Sequence, residues 1–181
     1  LSAGYNAEGG SKNFNFSSRN TTSNLHNYIT VVKQSYEKDG FFLRAESFYN
    51  VASQVDNLGI NLSAYGGKSL HEQSHGESFM SLVQNRFHGN GLYIMDEPEA
   101  ALSPLRQLTL LSEINRLVEL DSQFIIATHS PILLAYPNAK IYQITDNAIE
   151  EVRYEDCEHY KVTKQFLDNP NHFFKYLFSD S

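Results

Sequence analysis

The chain has no tryptophan, two methionines and one cysteine, Cys157, in 181 residues. A single thiol cannot build a disulfide framework, which points to a reducing, cytoplasmic setting. No apolar run approaches the roughly 20 residues of a membrane helix, and the N-terminus lacks the charged-then-apolar form of a signal peptide. Direct membrane insertion is therefore not expected. Positive charge is also scarce, with 14 Lys and Arg against 21 Asp and Glu and a formal charge of −7. A generic electrostatic grip on nucleic acid is not the default reading, and DNA stays a partner that charge does not indicate. What the chain does have is apolar material: 41% hydrophobic residues, with 12 Phe and 11 Tyr. That excludes wholesale disorder and suits one domain or a large part of one.

The order of elements comes from periodicity. Residues 6–24 are polar and turn-rich, with Phe14 and Phe16 alternating as in a short strand, and a helix is expected over 23–36. Phe41 to Ala45 reads as a buried strand, 47–57 as a helix, and 58–69 as a second turn-rich stretch. Then come helix 76–88, strand 91–95, helix 104–119 and strand 123–127. Leu105, Leu108, Leu111, Ile114, Leu117 and Val118 give the helix 104–119 one apolar face. Ser103 is its natural N-cap, with Pro104 at the first helical position. A hairpin over 140–153 turns at Asp146-Asn147, and two aromatic-rich helices, near 158–167 and 171–178, follow. Strands alternating with helices predict an α/β layered domain with a largely parallel sheet.

In open parallel sheets chemistry collects beyond the carboxyl ends of the strands. Here Leu92-Tyr93-Ile94-Met95 runs into Asp96-Glu97-Pro98, and Phe124-Ile125-Ile126-Ala127 runs into Thr128-His129-Ser130. Adjacent acids at the tip of a buried strand are costly unless a cation or a reacting proton uses them, although acids also start turns and cap helices. Gln73-Ser74-His75-Gly76-Glu77 stands just before a helix, whose N-terminus suits an anion.

The stretch from Leu92 to Pro104 resembles the Walker B strand, catalytic glutamate and D-loop of the ABC-type ATPases. Ile125 to Pro131 resembles their switch-histidine strand, and Gln73 to Glu77 their signature loop. The order of these parts is the family's own, and they cover about half of the chain. The branch it most resembles is a group of small predicted ATPases related to the SMC/RecF class. The resemblance implies a P-loop NTPase-like fold of ABC-ATPase type, with ATP and Mg²⁺ as cofactors. Asp96 would hold the Mg²⁺, Glu97 would polarise the attacking water, and His129 would contact the γ-phosphate. Ser74, Gly76 and Glu77 would act on a nucleotide bound to a second copy, with Ser103 on the same seam. Glu46 stands nearest the family's Q-loop glutamine. An ATP-dependent homodimer follows, with a further protein partner unspecified. His75 departs from the family's usual glycine. The chain divides into a helical and antiparallel part, 1–90, with the signature loop, and a Walker B and switch-histidine core, 91–181.

A P-loop, G-x-x-x-x-G-K-[ST], does not occur. Gly67-Lys68-Ser69 imitates its end, but Leu62 stands where the first glycine is required, so Lys68 reads as a loop lysine. The expectation is an N-terminally truncated domain, its opening at Leu1 continuing the helix after a P-loop. Two other classes compete. His71-Glu72-Gln73-Ser74-His75 matches the H-E-x-x-H zinc-protease motif, which requires a regular helix and a third ligand. The sequence around it is glycine-bounded and lacks apolar residues from 71 to 76. A non-catalytic dimerisation or interaction module is the other alternative. His26, His88, His159 and His172 show no partner pattern. The acids around Cys157 argue against a reactive thiol.

Overall fold

The computed structural model describes residues 2–12, 24–33, 35–46, 48 and 70–178. The Phe14–Phe16 strand, nearly all of the helix expected over 47–57 and the stretch 58–69 with Lys68 lie outside the described residues. Two compact units form, Leu1–Thr128 and His129–Ser181.

The first unit is built on three parallel strands, β1 (Asp39–Arg44), β2 (Gly91–Asp96) and β3 (Gln123–Ala127), in the order β1-β2-β3. The helices α1 (His75–Arg86) and α2 (Pro104–Val118) supply the connections. Registration sets Arg44 beside Asp96 and Asp96 beside Ala127, so the three strands end level. Alternation along β1 and β2 buries Phe41, Leu43, Tyr93 and Met95, and the buried core also holds Phe79, Leu82 and Val83 of α1 and Leu110, Ile114 and Leu117 of α2. Each such side chain contributes about 1.5–3 kcal/mol relative to exposure. Phe87 stacks on Tyr93 with ring centres 4.1 Å apart, closing the end of α1 onto β2.

The buried face of α2 coincides only in part with the one the spacing singled out: Ile114 and Leu117 lie on both. Gln107, Leu110, Ile114 and Leu117 are buried, whereas Leu105, Leu108 and Val118 are exposed. The row 110-114-117 and the row 105-108 both have helical spacing, and packing on the sheet selects the first. A second correction concerns 23–36. Its described residues carry only a 3₁₀ turn, Asn24–Asn27, followed by irregular chain. The run Ile29-Thr30-Val31-Val32 is rich in β-branched side chains, which lose rotamer freedom in a helix, and Ile29, Val31 and Val32 bury no face here.

At the opposite end of the sheet from Asp96, Asp39 accepts hydrogen bonds from Arg86 Nη1 at 2.8 Å and from the Tyr93 hydroxyl at 2.8 Å. Burial disfavours the Asp39 charge, but the bonds from Arg86 and Tyr93 outweigh it and hold the carboxyl below its ordinary range. Burial, with the Asp39 charge adding to it, pushes the Tyr93 phenol well up. Tyr5 is buried and reaches across β1 to donate to the Leu92 carbonyl at 3.0 Å. Gly40 permits that crossing, because a Cβ there would lie 2.0 Å from the Tyr5 hydroxyl oxygen. Burial, with Glu37 and Asp39 nearby, pushes the Tyr5 phenol up to about 12. Gly10 meets Phe42 in an antiparallel bridge on the outer side of β1.

The second unit carries the hairpin β4 (Ile141–Ile144) and β5 (Ile149–Val152), antiparallel and turning where the sequence placed it. A short helix, α3 (Pro131–Leu134), precedes it; α4 (Glu158–Asp168) and α5 (Pro170–Leu177) follow. Asn169 caps α5 by accepting from the His172 amide at 3.3 Å. Phe166 meets the rings of Phe173 and Phe174 at 5.7 and 5.9 Å, so the aromatic residues pack α4 on α5. Cys157 is buried, and burial, with Asp156 adding to it, raises its thiol. Among the described residues no helix is long and apolar enough to cross a membrane.

Candidate functional site

The sheet of the first unit ends in a short row of charge. Asp96 closes β2, and its Oδ2 accepts from Arg44 Nε at 2.9 Å. Arg44 closes β1 in register with it, and its Nη2 lies 3.4 Å from Glu46 Oε2. Glu46 is 75% exposed, Arg44 40% and Asp96 35%, so the three groups form a ladder that opens toward solvent.

Glu97 follows in the left-handed region, at φ 48° and ψ 51°. A non-glycine residue there costs about 1–2 kcal/mol and persists only when its surroundings hold it. Its amide donates to the Ala127 carbonyl at 2.9 Å, extending the β2–β3 ladder past the end of β2. Pro98, buried, then opens a 3₁₀ turn, Pro98–Ala101. Thr128 Oγ1 donates to Glu99 Oε2 at 2.7 Å, which ties this turn to the residue after β3. The turn ends at buried Leu102, whose carbonyl accepts from Gln107 Nε2 at 3.1 Å. Ser103 caps α2, its hydroxyl accepting from the Arg106 amide at 3.4 Å.

That turn lies against the start of α1. Ser74 is the N-cap, its amide and hydroxyl donating to Glu77 Oε2 at 3.0 and 2.6 Å. Those two bonds, with the Arg106 charge adding to them, hold the Glu77 carboxyl below its ordinary range. Arg106 Nη1 donates to Ser74 Oγ at 3.4 Å, and Nη2 lies 3.3 Å from Glu77 Oε1. Gly76 is buried between these parts: a Cβ there would stand 2.9 Å from the Ala101 carbonyl oxygen and 2.4 Å from Arg106 Nη1. The close approach that a glycine is needed for thus falls at Gly76. His75, one step earlier, is exposed and meets the Phe48 ring edge-on at 5.5 Å.

His129 belongs to the second unit, where its Nδ1 is 3.0 Å from Nε2 of His159 on α4, ring centres 4.8 Å apart. His159 therefore has a partner that its sequence context did not show. The H-E-x-x-H residues do not share a continuous helix. His71 and Glu72 lie in a 3₁₀ turn, Leu70–Glu72, and His75 begins α1 only after the break at Gln73-Ser74.

Of the residues expected to act, Asp96, Glu97 and Glu46 stand at the level strand ends with Arg44. Ser74, Gly76 and Glu77 stand together at the start of α1, and Ser103 starts α2. Sequence reasoning missed Arg44, Glu99, Arg106, Thr128 and His159. Arg44 was legible once β1 and β2 were taken as parallel neighbours ending level, whereas nothing in the spacing joins His129 to a residue 30 positions on.

The donor chemistry at the strand ends suits a hard cation. Among the described residues no group of three or more His, Cys, Asp or Glu is placed to hold a metal. One or two carboxylates, completed by phosphate oxygens and water, is how Mg²⁺ enters phosphate-handling sites. Asp96 and Glu97 fit that pattern and do not fit a resident zinc centre.

The fold and this row of groups define a mixed α/β domain with a parallel sheet and carboxylates at its carboxyl edge, an arrangement compatible with the P-loop NTPase class. A family model described as "AAA domain, putative AbiEii toxin, Type IV TA system" matches residues 70–135. The match spans α1, β2, the Pro98–Ala101 turn, α2, β3 and α3, and so covers Ser74 to Glu77, Asp96, Glu97, Ser103 and His129. It points to an ATPase-like, nucleotide-binding domain. No curated protein matches the chain.

Proposed function

We propose that this chain carries the hydrolytic half of an ABC-type ATPase site. In this reading Asp96 holds the Mg²⁺ of MgATP, Glu97 polarises the attacking water, and His129 contacts the γ-phosphate. The glycine-rich phosphate loop is supplied from outside these 181 residues. The observation that carries the reading is the left-handed Glu97, directly after Asp96 and hydrogen-bonded to the end of the next strand. Strain of this kind collects where a side chain must be presented at a fixed point. Phosphoryl transfer needs positioning and charge stabilisation more than covalent chemistry; Glu97 would position the water, and Asp96 would hold the ion that offsets the charge. When bound, Mg²⁺ neutralises phosphate charge. Among the chain's own groups, Glu97 holds the water proton and the Glu99–Thr128 bond keeps the following turn in place.

The start of α1 has its own part. Ser74, Gly76 and Glu77 would meet the nucleotide of a second copy, with Ser103 beside the same seam, giving a two-fold dimer with ATP in its interface. The test is phosphate release by a protein comprising this chain and a P-loop ahead of it. Glu97→Gln should retain ATP binding and slow turnover by about 10²–10⁴. Unchanged turnover would remove Glu97 from the chemistry and the reading with it.

A further inference from the structure

We infer that Arg44 is a positioning residue that reserves Asp96, keeping its carboxylate from taking up a bare divalent cation. This rests on the reading of Asp96 as the metal-binding carboxylate and adds a regulation of that site. Arg44 Nε sits 2.9 Å from Asp96 Oδ2, so the carboxylate charge is already balanced where a cation would be attracted. A dipositive ion drawn to Asp96 meets the guanidinium charge at close range, and the repulsion cancels most of the attraction.

The second anchor makes the arrangement reversible. Arg44 Nη2 is 3.4 Å from Glu46 Oε2, on a carboxylate far more exposed than Asp96. When Arg44 leaves Asp96 it keeps a partner, so no cation is stranded at a half-covered site. An incoming phosphate offers the guanidinium a third partner of the geometry it binds best. Metal then enters together with phosphate rather than before it, and Asp96 is not clamped by free cation in advance. The planar fork matters because two of its nitrogens engage two carboxylates at once. Backbone registration fixes the pair, since Arg44 and Asp96 are direct neighbours across β1 and β2.

The experiment titrates the chain with Mn²⁺ alone, without nucleotide, and reads free Mn²⁺ by electron paramagnetic resonance. Wild type should bind Mn²⁺ weakly. Arg44→Gln should bind about tenfold more tightly, the size expected for removing one charge at a partly exposed site. Arg44→Lys, which keeps the charge but loses the fork, should fall between wild type and Arg44→Gln. The gain should vanish in Arg44→Gln/Asp96→Asn, which separates it from ion condensation on an acidic surface. Arg44→Met repeats the neutral substitution with a similar stem should the glutamine variant fail to fold. Equal Mn²⁺ affinity in the folded neutral variants and wild type overturns the inference, as does a gain that survives Asp96→Asn. The readout needs no hydrolysis. A flat Mn²⁺ series would leave the Glu97 turnover result standing, and unchanged turnover in Glu97→Gln would leave the Mn²⁺ result standing.

Discussion

Gly76→Ala sets two physical effects against each other. Helix propensity favours alanine over glycine by about 1 kcal/mol in a helix interior, and by less in a first turn, so propensity alone makes the variant more stable. Packing argues the other way. The added methyl would lie 2.4 Å from Arg106 Nη1, 3.2 Å from Arg106 Cδ and 2.9 Å from the Ala101 carbonyl oxygen. Arg106 can turn aside at little cost, because its bonds to Ser74 and Glu77 are exposed and screened. The Ala101 carbonyl cannot, since its turn is held by the Thr128–Glu99 bond and by buried Leu102. Forcing a methyl into a packed contact costs about 1–3 kcal/mol, so the net effect is a loss of about 1–2 kcal/mol. Urea denaturation of wild type, Gly76→Ala, Arg106→Ala and the double variant measures it. In the Arg106→Ala background the penalty should shrink but remain, because the backbone contact is still there. A stability gain in Gly76→Ala, or a penalty abolished by Arg106→Ala, would refute the claim that α1 is seated on a rigid turn.

Glu97→Gly should stabilise the fold by about 1 kcal/mol in thermal or urea denaturation, by relieving the left-handed backbone, while abolishing hydrolysis; a destabilised variant would mean that Glu97 is not strained. Asp39 has its carboxyl held low in the fold, so its contribution is present above the ordinary carboxylate range and is lost as pH falls through the lowered value. Asp39→Asn should therefore be less stable than wild type near neutrality and approach it on acidification, measured as denaturation midpoint against pH. In the proposed dimer, light scattering of the P-loop-containing Glu97→Gln protein should show a doubled mass with MgATP, and Ser74→Arg should prevent it. A mass unchanged by ATP would exclude a role for this loop across an interface.

What was legible in the sequence and what was not divides along physical lines. The strands 91–95 and 123–127 and the turn at Asp146-Asn147 stand in the structure where local pattern placed them, because short apolar runs and turn residues state their own conformation. The face of α2 was placed rightly only at Ile114 and Leu117, because two apolar rows share that helix and packing decides between them. The helix expected over 23–36 does not form in its described residues, whose β-branched run Ile29-Thr30-Val31-Val32 disfavours helix. At the site, acids at strand ends could be seen in one dimension. Their partners could not, since Arg44 and Arg106 come from elements brought alongside only by folding. The His129–His159 pair is the extreme case, formed between a strand-end loop and a helix with no shared pattern.

The Tyr5 bond to Leu92 joins residues 87 positions apart, through a gap that Gly40 leaves open over β1. It has a consequence for the order of assembly. During synthesis Tyr5 emerges long before its acceptor Leu92 exists, and β1 itself must wait for β2, whose last residue is Asp96. Loop closure over such separations is slow, and contacts of this range delay folding relative to local ones. The segment around Tyr5 therefore docks only after β2 is available, although it is made before β2. Until then the ribosome-bound chain exposes Phe41 and Leu43 on an uncovered strand, the kind of surface that chaperones bind.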